Sequence, residues 1–361
     1  MTIAGEILRR ARTLLRSKAT REPGPVILLY HRIAEEVFDP WSLAVSPAHF
    51  SEQMEWIGRN RTVLPLTEFA QRQRERCLAS ESVAITFDDG YACNAHVGAP
   101  VLRRLGIPAT IFLPAEIIEA GHPFWWDELQ DIVIDNPAST VLLDGEAVPI
   151  GPKNDADGNW LPGTPPRTVR QRAFLAIWSR LRTRTSEALD SALRELRGDQ
   201  ENRSDKPLKR PLTVKEIRSV DTKIEFGSHA LTHRSLPALS PEDRAREISE
   251  SLARCEALTG YRPRSFAYPF GDADADSIRL VERAGFECAC VTAERNVSPR
   301  SDVYALPRIG VGNFPASALP QILSHACTGA SCSTAQADTA SNASIGKTWT
   351  CSCGSRASRR S

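Results

Sequence analysis

Val83-Ala84-Ile85-Thr86-Phe87-Asp88-Asp89-Gly90 runs from a β-branched, apolar stretch straight into two carboxylates and a glycine. The apolar part reads as a buried strand, and the glycine as the turn that ends it. In parallel α/β folds, reactive groups gather at the C-terminal ends of strands. Two adjacent acids there can divide the work, one binding a metal and the other moving a proton. Asp-Asp-Gly alone also describes an ordinary solvated loop, so the weight falls on what the rest of the chain repeats.

The same pattern recurs on both sides. Short apolar runs at Val26–Tyr30, Ala109–Leu113, Ile224–Gly227, Ser265–Tyr268, Cys288–Thr292 and Ala305–Val311 make seven candidate strands with Val83–Phe87. Helical patterns lie between many of them, for example Pro47–Arg59 and Pro241–Thr259. Strands alternating with helices predict a parallel sheet. Seven of them suggest a barrel, with an open doubly wound sheet as the alternative.

Two further strand ends carry chemistry. Ile224–Gly227 leads into Ser228-His229-Ala230-Leu231-Thr232-His233. Imidazoles four residues apart share a face if the backbone turns helically, and a carboxylate from another strand would complete a His₂Asp set. Such a set leaves a coordination position open for water. Two of only seven histidines fall within these five residues, which makes a chance surface pair harder to accept. Phe266-Ala267-Tyr268-Pro269-Phe270-Gly271 is an aromatic strand closed by a forced loop, whose N–H groups could face the same rim.

Composition fits a soluble globular chain of 361 residues, with 41% hydrophobic and 25% charged. Lys and Arg number 45 against 44 acids, which gives no electrostatic case for nucleic acid. Of nine cysteines, an odd count without C-x-x-C spacing, most read as reduced thiols. Residues 1–24 hold a basic amphipathic helix; its Ile3, Ile7, Ala11, Leu14 and Leu15 share a face. It is either a leader helix packed on the domain or, through residues 1–22, a peripheral membrane contact. Its arginines interrupt any secretory core, so the expected location is cytoplasmic, with peripheral attachment to the inner membrane as a variant. Residues 25–326 form the expected catalytic domain. An insertion at about 121–210 interrupts it, with a Trp-rich start, a Pro/Gly/Asn loop near 149–166 and a long helical stretch near 168–197. It reads as a surface excursion with a small core of its own, or else as a lid or dimer contact. Residues 327–361, rich in Ser, Ala, Thr and Cys, read as a disordered tail.

Taken in order, Asp88-Asp89, His229/His233 and Phe266–Gly271 resemble the first three motifs of the polysaccharide deacetylase (NodB-like, carbohydrate esterase family 4-type) family. Tyr30-His31-Arg32-Ile33 and Leu306-Pro307-Arg308-Ile309 resemble a bacterial branch of it, and the resemblance covers about residues 25–315. It implies a distorted (β/α) barrel of about seven strands with a helical insertion, and removal of N-acetyl groups from amino-sugar residues. Carried over, Asp89, His229 and His233 hold one divalent metal ion. Zinc is the first expectation, with cobalt, manganese and nickel as alternatives. Asp88 becomes the general base, and the Phe270 N–H helps to stabilise the oxyanion. The expected substrate is an N-acetylated glycan or a lipid-linked sugar.

Two departures stand out. The family often carries an Arg in its third motif to orient the base, where this chain has Ala267; Arg308 is the candidate to reach in instead. The family's general acid is a His in its last motif, matched in letters by Leu323-Ser324-His325, with His31 at the end of the first strand as the other candidate. The missing motif-three Arg keeps a carbohydrate-binding pseudoenzyme open as an alternative. So does the site chemistry for a metal hydrolase of another amide or ester.

Overall fold

The computed structural model describes residues 24–198, 207–220 and 223–325. The amphipathic helix expected at 1–24 and the tail expected at 327–361 lie outside these, apart from Gly24, which precedes the first strand.

Seven parallel strands form the barrel: β1 (Val26–Tyr30), β2 (Ser82–Phe87), β3 (Ala109–Leu113), β4 (Ile224–Ser228), β5 (Ser265–Ala267), β6 (Cys288–Thr292) and β7 (Leu306–Gly310). They neighbour one another in chain order, and β1 pairs with both β2 and β7, which closes the sheet. The open-sheet alternative is therefore excluded. A two-residue strand, Thr62–Val63, adds to β2 at its start.

Alternation along the strands sorts side chains into two layers. Ile27, Ala84, Phe112, Ala267, Cys288, Cys290 and Leu306 belong to one cluster, which fills the barrel. Their neighbours Val26, Leu28, Val83, Ile85, Ile111 and Phe226 face outward, packed under helices such as α1 (Pro47–Asn60). Strands buried on both faces explain why they read as continuous apolar runs rather than as alternating ones. At Gly227 the interior is so tight that a Cβ would lie 2.5 Å from the Phe112 ring and 2.6 Å from Ser265 Oγ.

The insertion has its own core, as expected, built on Phe124, Leu129, Trp160, Phe174 and Ile177. The long helical stretch near 168–197 is two helices, α2 (Val169–Leu181) and α3 (Ser186–Arg197). They separate where Thr185 turns extended and caps α3 by accepting from Ala188 N. An antiparallel hairpin, Thr140–Leu143 with Glu146–Pro149, for which the sequence reading had no element, runs up to the start of the loop expected near 149–166. On α2, the fully buried Arg170 donates to the carbonyls of Val133, Asn136, Ala138 and Gly151, with Asp157 3.5 Å away. Arg170→Met strands those acceptors and the Asp157 charge. It should cost about 3–5 kcal/mol, read as a lowered midpoint in urea. A change below about 1 kcal/mol would show that water replaces the guanidinium.

Among the described residues no helix is long and apolar enough to cross a membrane. Cys77, Cys93, Cys255, Cys288 and Cys290 are free thiols, all buried except Cys77.

Candidate active site

The strand ends β1, β2, β4 and β5 meet at one rim. The register Tyr30↔Phe87 sets His31 beside Asp88, and Asp88 N donates to Tyr30 O at 3.0 Å. Asp89 follows with φ of 71°, and Gly90 with 67°. A side chain at Gly90 would meet Leu113 at 2.6 Å, so the sharp turn beneath the acids needs a glycine.

His229 and His233 do not lie on a helix, as their spacing suggested. Residues 229–233 form a loop in which Ala230 (φ 61°) and His233 (φ 58°) are left-handed. The imidazoles still converge, with ring centroids 4.8 Å apart. Glu247, buried on α4 (Pro241–Thr259), holds the loop by accepting from Leu231 N and Thr232 N, each at 2.9 Å, and from Thr232 Oγ1. Of seven non-glycine residues with left-handed φ among the described residues, four are Asp89, Ala230, His233 and Phe270. Backbone strain thus concentrates where side chains must be aimed.

Asp89, His229 and His233 offer ligand atoms that all lie within 4.8 Å of one another. Asp89 Oδ1 is 3.3 Å from His233 Nε2 and 3.7 Å from His229 Nε2. The His229 Nδ1–H donates to Ala267 O at 2.8 Å, which leaves Nε2 with its lone pair toward the acids. Asp89 Oδ1 and His233 Nδ1 are buried without a hydrogen-bond partner. A buried carboxylate oxygen left unsatisfied between two imidazoles is costly, and a divalent cation would relieve it. The residues present therefore fit a divalent metal ion.

Electrostatics agree with that fit. Burial lowers the His229 pKa to about 4 against the pull of Asp88 and Asp89, so the ring is neutral near neutral pH, as a ligand must be. Burial would raise Asp89, but His233, His31 and His229 bring it below its ordinary value.

Asp88 is held differently. Arg308, fully buried on β7, makes a fork to it, with 2.6 Å from Nη1 to Oδ1 and 2.7 Å from Nη2 to Oδ2. Arg308 lies opposite Ile27, below the rim, and its side chain rises through the barrel interior with its guanidinium 5.4 Å over the Phe112 ring. Ala267, the position matched to the motif-three Arg, is a small interior residue on β5. The cation has thus moved two strands round the barrel while reaching the same carboxylate. Burial pushes the Asp88 pKa up, but Arg308, then His229 and His31, hold it well below the usual carboxylate range. Arg308→Met leaves the burial penalty unopposed by that cation, so the Asp88 pKa must rise. The acid limb of kcat/KM should move to higher pH, with turnover down about 10²-fold from lost orientation. An acid limb at the wild-type position would separate Arg308 from Asp88 function.

The other sequence candidates fall out as follows. His31 sits at the rim, and its pKa is lowered by burial, with Asp89 and Asp88 opposing. Phe270 closes the β5 loop, with φ of 59° and its ring 4.7 Å from His233. His325 ends the helix Leu319–His325. Two residues earlier, Leu323 O accepts from Asn296, which abuts Gly24 just before β1. That is the barrel end opposite the acids. His49 approaches Asn313, His96 approaches Glu216, and His122 is exposed; none follows a barrel strand.

Sequence reasoning missed three contributors. Glu247 carries no signal beyond an acid at a buried helical position beside Ile248 and Ser251. Trp126, from the insertion, lies 4.8 Å from the His233 ring. Its Nε1–H donates to Tyr91 Oη at 2.7 Å, and that hydroxyl donates to Asp127 Oδ2 at 2.8 Å. Tyr91 directly follows Asp88-Asp89-Gly90, so the insertion is bolted to the first motif. Trp178 on α2 reaches the Phe270 ring, at 6.5 Å. The excursion therefore forms one wall of the site as well as its own core.

The closed parallel sheet, flanked by helices and carrying acids and imidazoles at one rim, is a (β/α) barrel. The polysaccharide deacetylase family pattern matches residues 75–136 and 199–289. A Bacillus subtilis (strain 168) protein named "Putative polysaccharide deacetylase YxkH" is 30% identical over 295 residues, covering 81% of this chain and 73% of its own. The chain belongs to the polysaccharide deacetylase family, and with it to the hydrolases. Two solved structures share the fold. A Streptococcus pyogenes deacetylase, PplD in complex with acetate, has TM-score 0.54 at 17% identity, covering 83% of this chain and 97% of that one. IcaB from Ammonifex degensii has TM-score 0.52 at 16% identity, with coverages of 85% and 98%.

Proposed function

We propose that this enzyme removes N-acetyl groups from amino-sugar residues of a poly- or oligosaccharide, using one divalent metal ion, zinc first, held by Asp89, His229 and His233. The observation that carries the reading is the orphaned Asp89 Oδ1 between two Nε2 atoms, next to a second carboxylate engaged by an arginine instead. The bound ion would supply Lewis acidity, polarising the amide carbonyl and lowering the pKa of a water from about 15.7 toward 7. Asp88, kept ionised beside Arg308, is assigned the role of general base that takes a proton from the attacking water. Arg308 orients it and keeps it ionised. The Phe270 N–H is assigned to the developing oxyanion.

Expulsion of the amine needs a proton, and His31 is the favoured donor because it shares the rim with Asp88, whereas His325 belongs to a helix at the opposite barrel end. His31→Ala should lower turnover about 10²-fold or more with metal retained, and His325→Ala should change little. The reverse ranking would return the role to His325.

The test of the proposal is acetate release by metal-loaded protein from N-acetylglucosamine oligomers and a lipid-linked N-acetylated sugar, with a phosphoester in parallel. Acetate from an amino sugar supports the reading. Phosphate release alone would make it a hydrolase of another ester, and glycan binding without turnover a pseudoenzyme.

A further inference from the structure

Phe270 holds a backbone conformation that bulky residues avoid, with φ of 59° and ψ of 6°. Left-handed φ crowds Cβ against the carbonyl oxygen, so such a turn relaxes unless its surroundings hold it. Inside the turn, Gly271 N donates to Tyr268 O at 2.9 Å and Asp272 N to Pro269 O at 3.1 Å. The surroundings grip the ring. His233 lies 4.7 Å from it at 73°, and Trp178 6.5 Å from it at 87°. The Arg182 guanidinium stands 5.2 Å over the Phe270 ring and 5.1 Å over the Trp178 ring, so one cation spans both. Trp178 is itself fixed, with Trp41 at 5.0 Å and Trp125 at 6.1 Å. Arg182 also meets Asp272, two residues past Phe270, at 3.8 Å, and Asp272 accepts from Ser235 Oγ at 2.9 Å. Trp178 lies on α2 and Arg182 is its C-terminal cap, so the insertion supplies two of the three contacts on the Phe270 ring.

Resting on the deacetylase reading, we propose that Arg182 is a positioning residue for the oxyanion donor: it pins the Phe270 ring against Trp178 and so holds the left-handed turn that aims the Phe270 N–H. Ring and amide are joined through one Cα, so a ring held on three sides leaves the amide little freedom to swing. An oxyanion donor works by standing in place before charge develops, and it loses effect as its direction drifts. An ordinary surface ion pair accounts for Asp272 alone. With side chains 25% and 42% exposed, that pair contributes little by itself, and it does not explain a guanidinium lying over two rings. The insertion thus has a task at the reacting centre, which it reaches from outside the barrel. Arg182 acts through Phe270 and takes no part in bond breaking.

The experiment compares wild type, Arg182→Ala, Phe270→Gly and the double variant, all zinc-loaded, on the N-acetylglucosamine pentamer. Hydrogen exchange of the peptide carrying Pro269–Asp272 is measured on the same proteins. Arg182→Ala should lower kcat about tenfold, with KM within about twofold and zinc occupancy unchanged, because the amide serves the transition state rather than the bound substrate. The Gly271 and Asp272 amides should exchange about tenfold faster in this variant, because the turn opens more often. Glycine adopts left-handed φ freely and carries no ring to pin, so adding Arg182→Ala to Phe270→Gly should change kcat by less than about twofold. A kcat within about twofold of wild type in Arg182→Ala, a loss confined to KM, or unchanged exchange would overturn the proposal while leaving the deacetylase reading intact. So would an equal loss from Arg182→Ala in the wild-type and Phe270→Gly backgrounds, which marks a general structural effect. If Phe270→Gly fails to fold or turns over too slowly to measure, the kcat and exchange of Arg182→Ala decide. If wild type releases no acetate, the deacetylase reading fails and exchange decides the clamp: faster in Arg182→Ala upholds it, and unchanged refutes it.

Discussion

Asp89→Ala and His229→Ala should each lose stoichiometric metal and essentially all acetate release together. The two residues come from different strand ends, β2 and β4, and a cation is what reconciles their buried, unsatisfied approach. Removing either leaves two protein ligands, too few to keep an ion against the solvent at ordinary concentrations. His229→Ala also frees Ala267 O, so the loop should loosen slightly, whereas Asp89→Ala leaves that bond intact. Metal analysis of the purified variants is the check. Full occupancy in both would mean that the ion, if it binds, binds elsewhere.

Asp88→Asn should separate chemistry from metal. The amide keeps the shape of the carboxylate and can still accept from Arg308, but it cannot take a proton. Turnover should fall about 10²–10⁴-fold with occupancy unchanged. Stability should also shift. The Asp88 pKa is depressed in the folded protein, so its ion pair stabilises the fold above the unfolded carboxylate pKa, and that contribution is lost as pH falls through the folded value. Asn lacks this dependence, so the variant's stability should decline less steeply in acid. Turnover within about twofold of wild type would move the base to another residue.

The reach and the limit of the sequence both follow from where information sits in a barrel. Strands buried on both faces are long apolar runs, so all seven were legible to within a residue or two at each end. Asp88, Asp89, His31, His229 and His233 stood out because a polar residue straight after such a run has one natural place, the C-terminal rim. Arg308, named in the sequence only as the candidate to stand in for the motif-three Arg, carried no comparable local mark. It lies inside a strand, and its contact with Asp88 exists only because β7 closes onto β1, a long-range pairing with no local signature. The fold of the His229–His233 loop was hidden for a different reason. It depends on left-handed φ at Ala230 and His233, residue types that do not announce it, and on Glu247 sixteen positions after Leu231. The break between α2 and α3 was a matter of one cap, Thr185, whose hydroxyl outweighed a continuous helical pattern.

The most direct test of the central claim is acetate release from the N-acetylglucosamine pentamer by one preparation measured three times: as purified, after chelation to verified metal-free protein, and after zinc is returned. The account predicts release in the first, loss in the second and recovery in the third in proportion to zinc bound, up to one ion per chain. Undiminished release by the metal-free protein, or no release from fully metal-loaded protein, would contradict it.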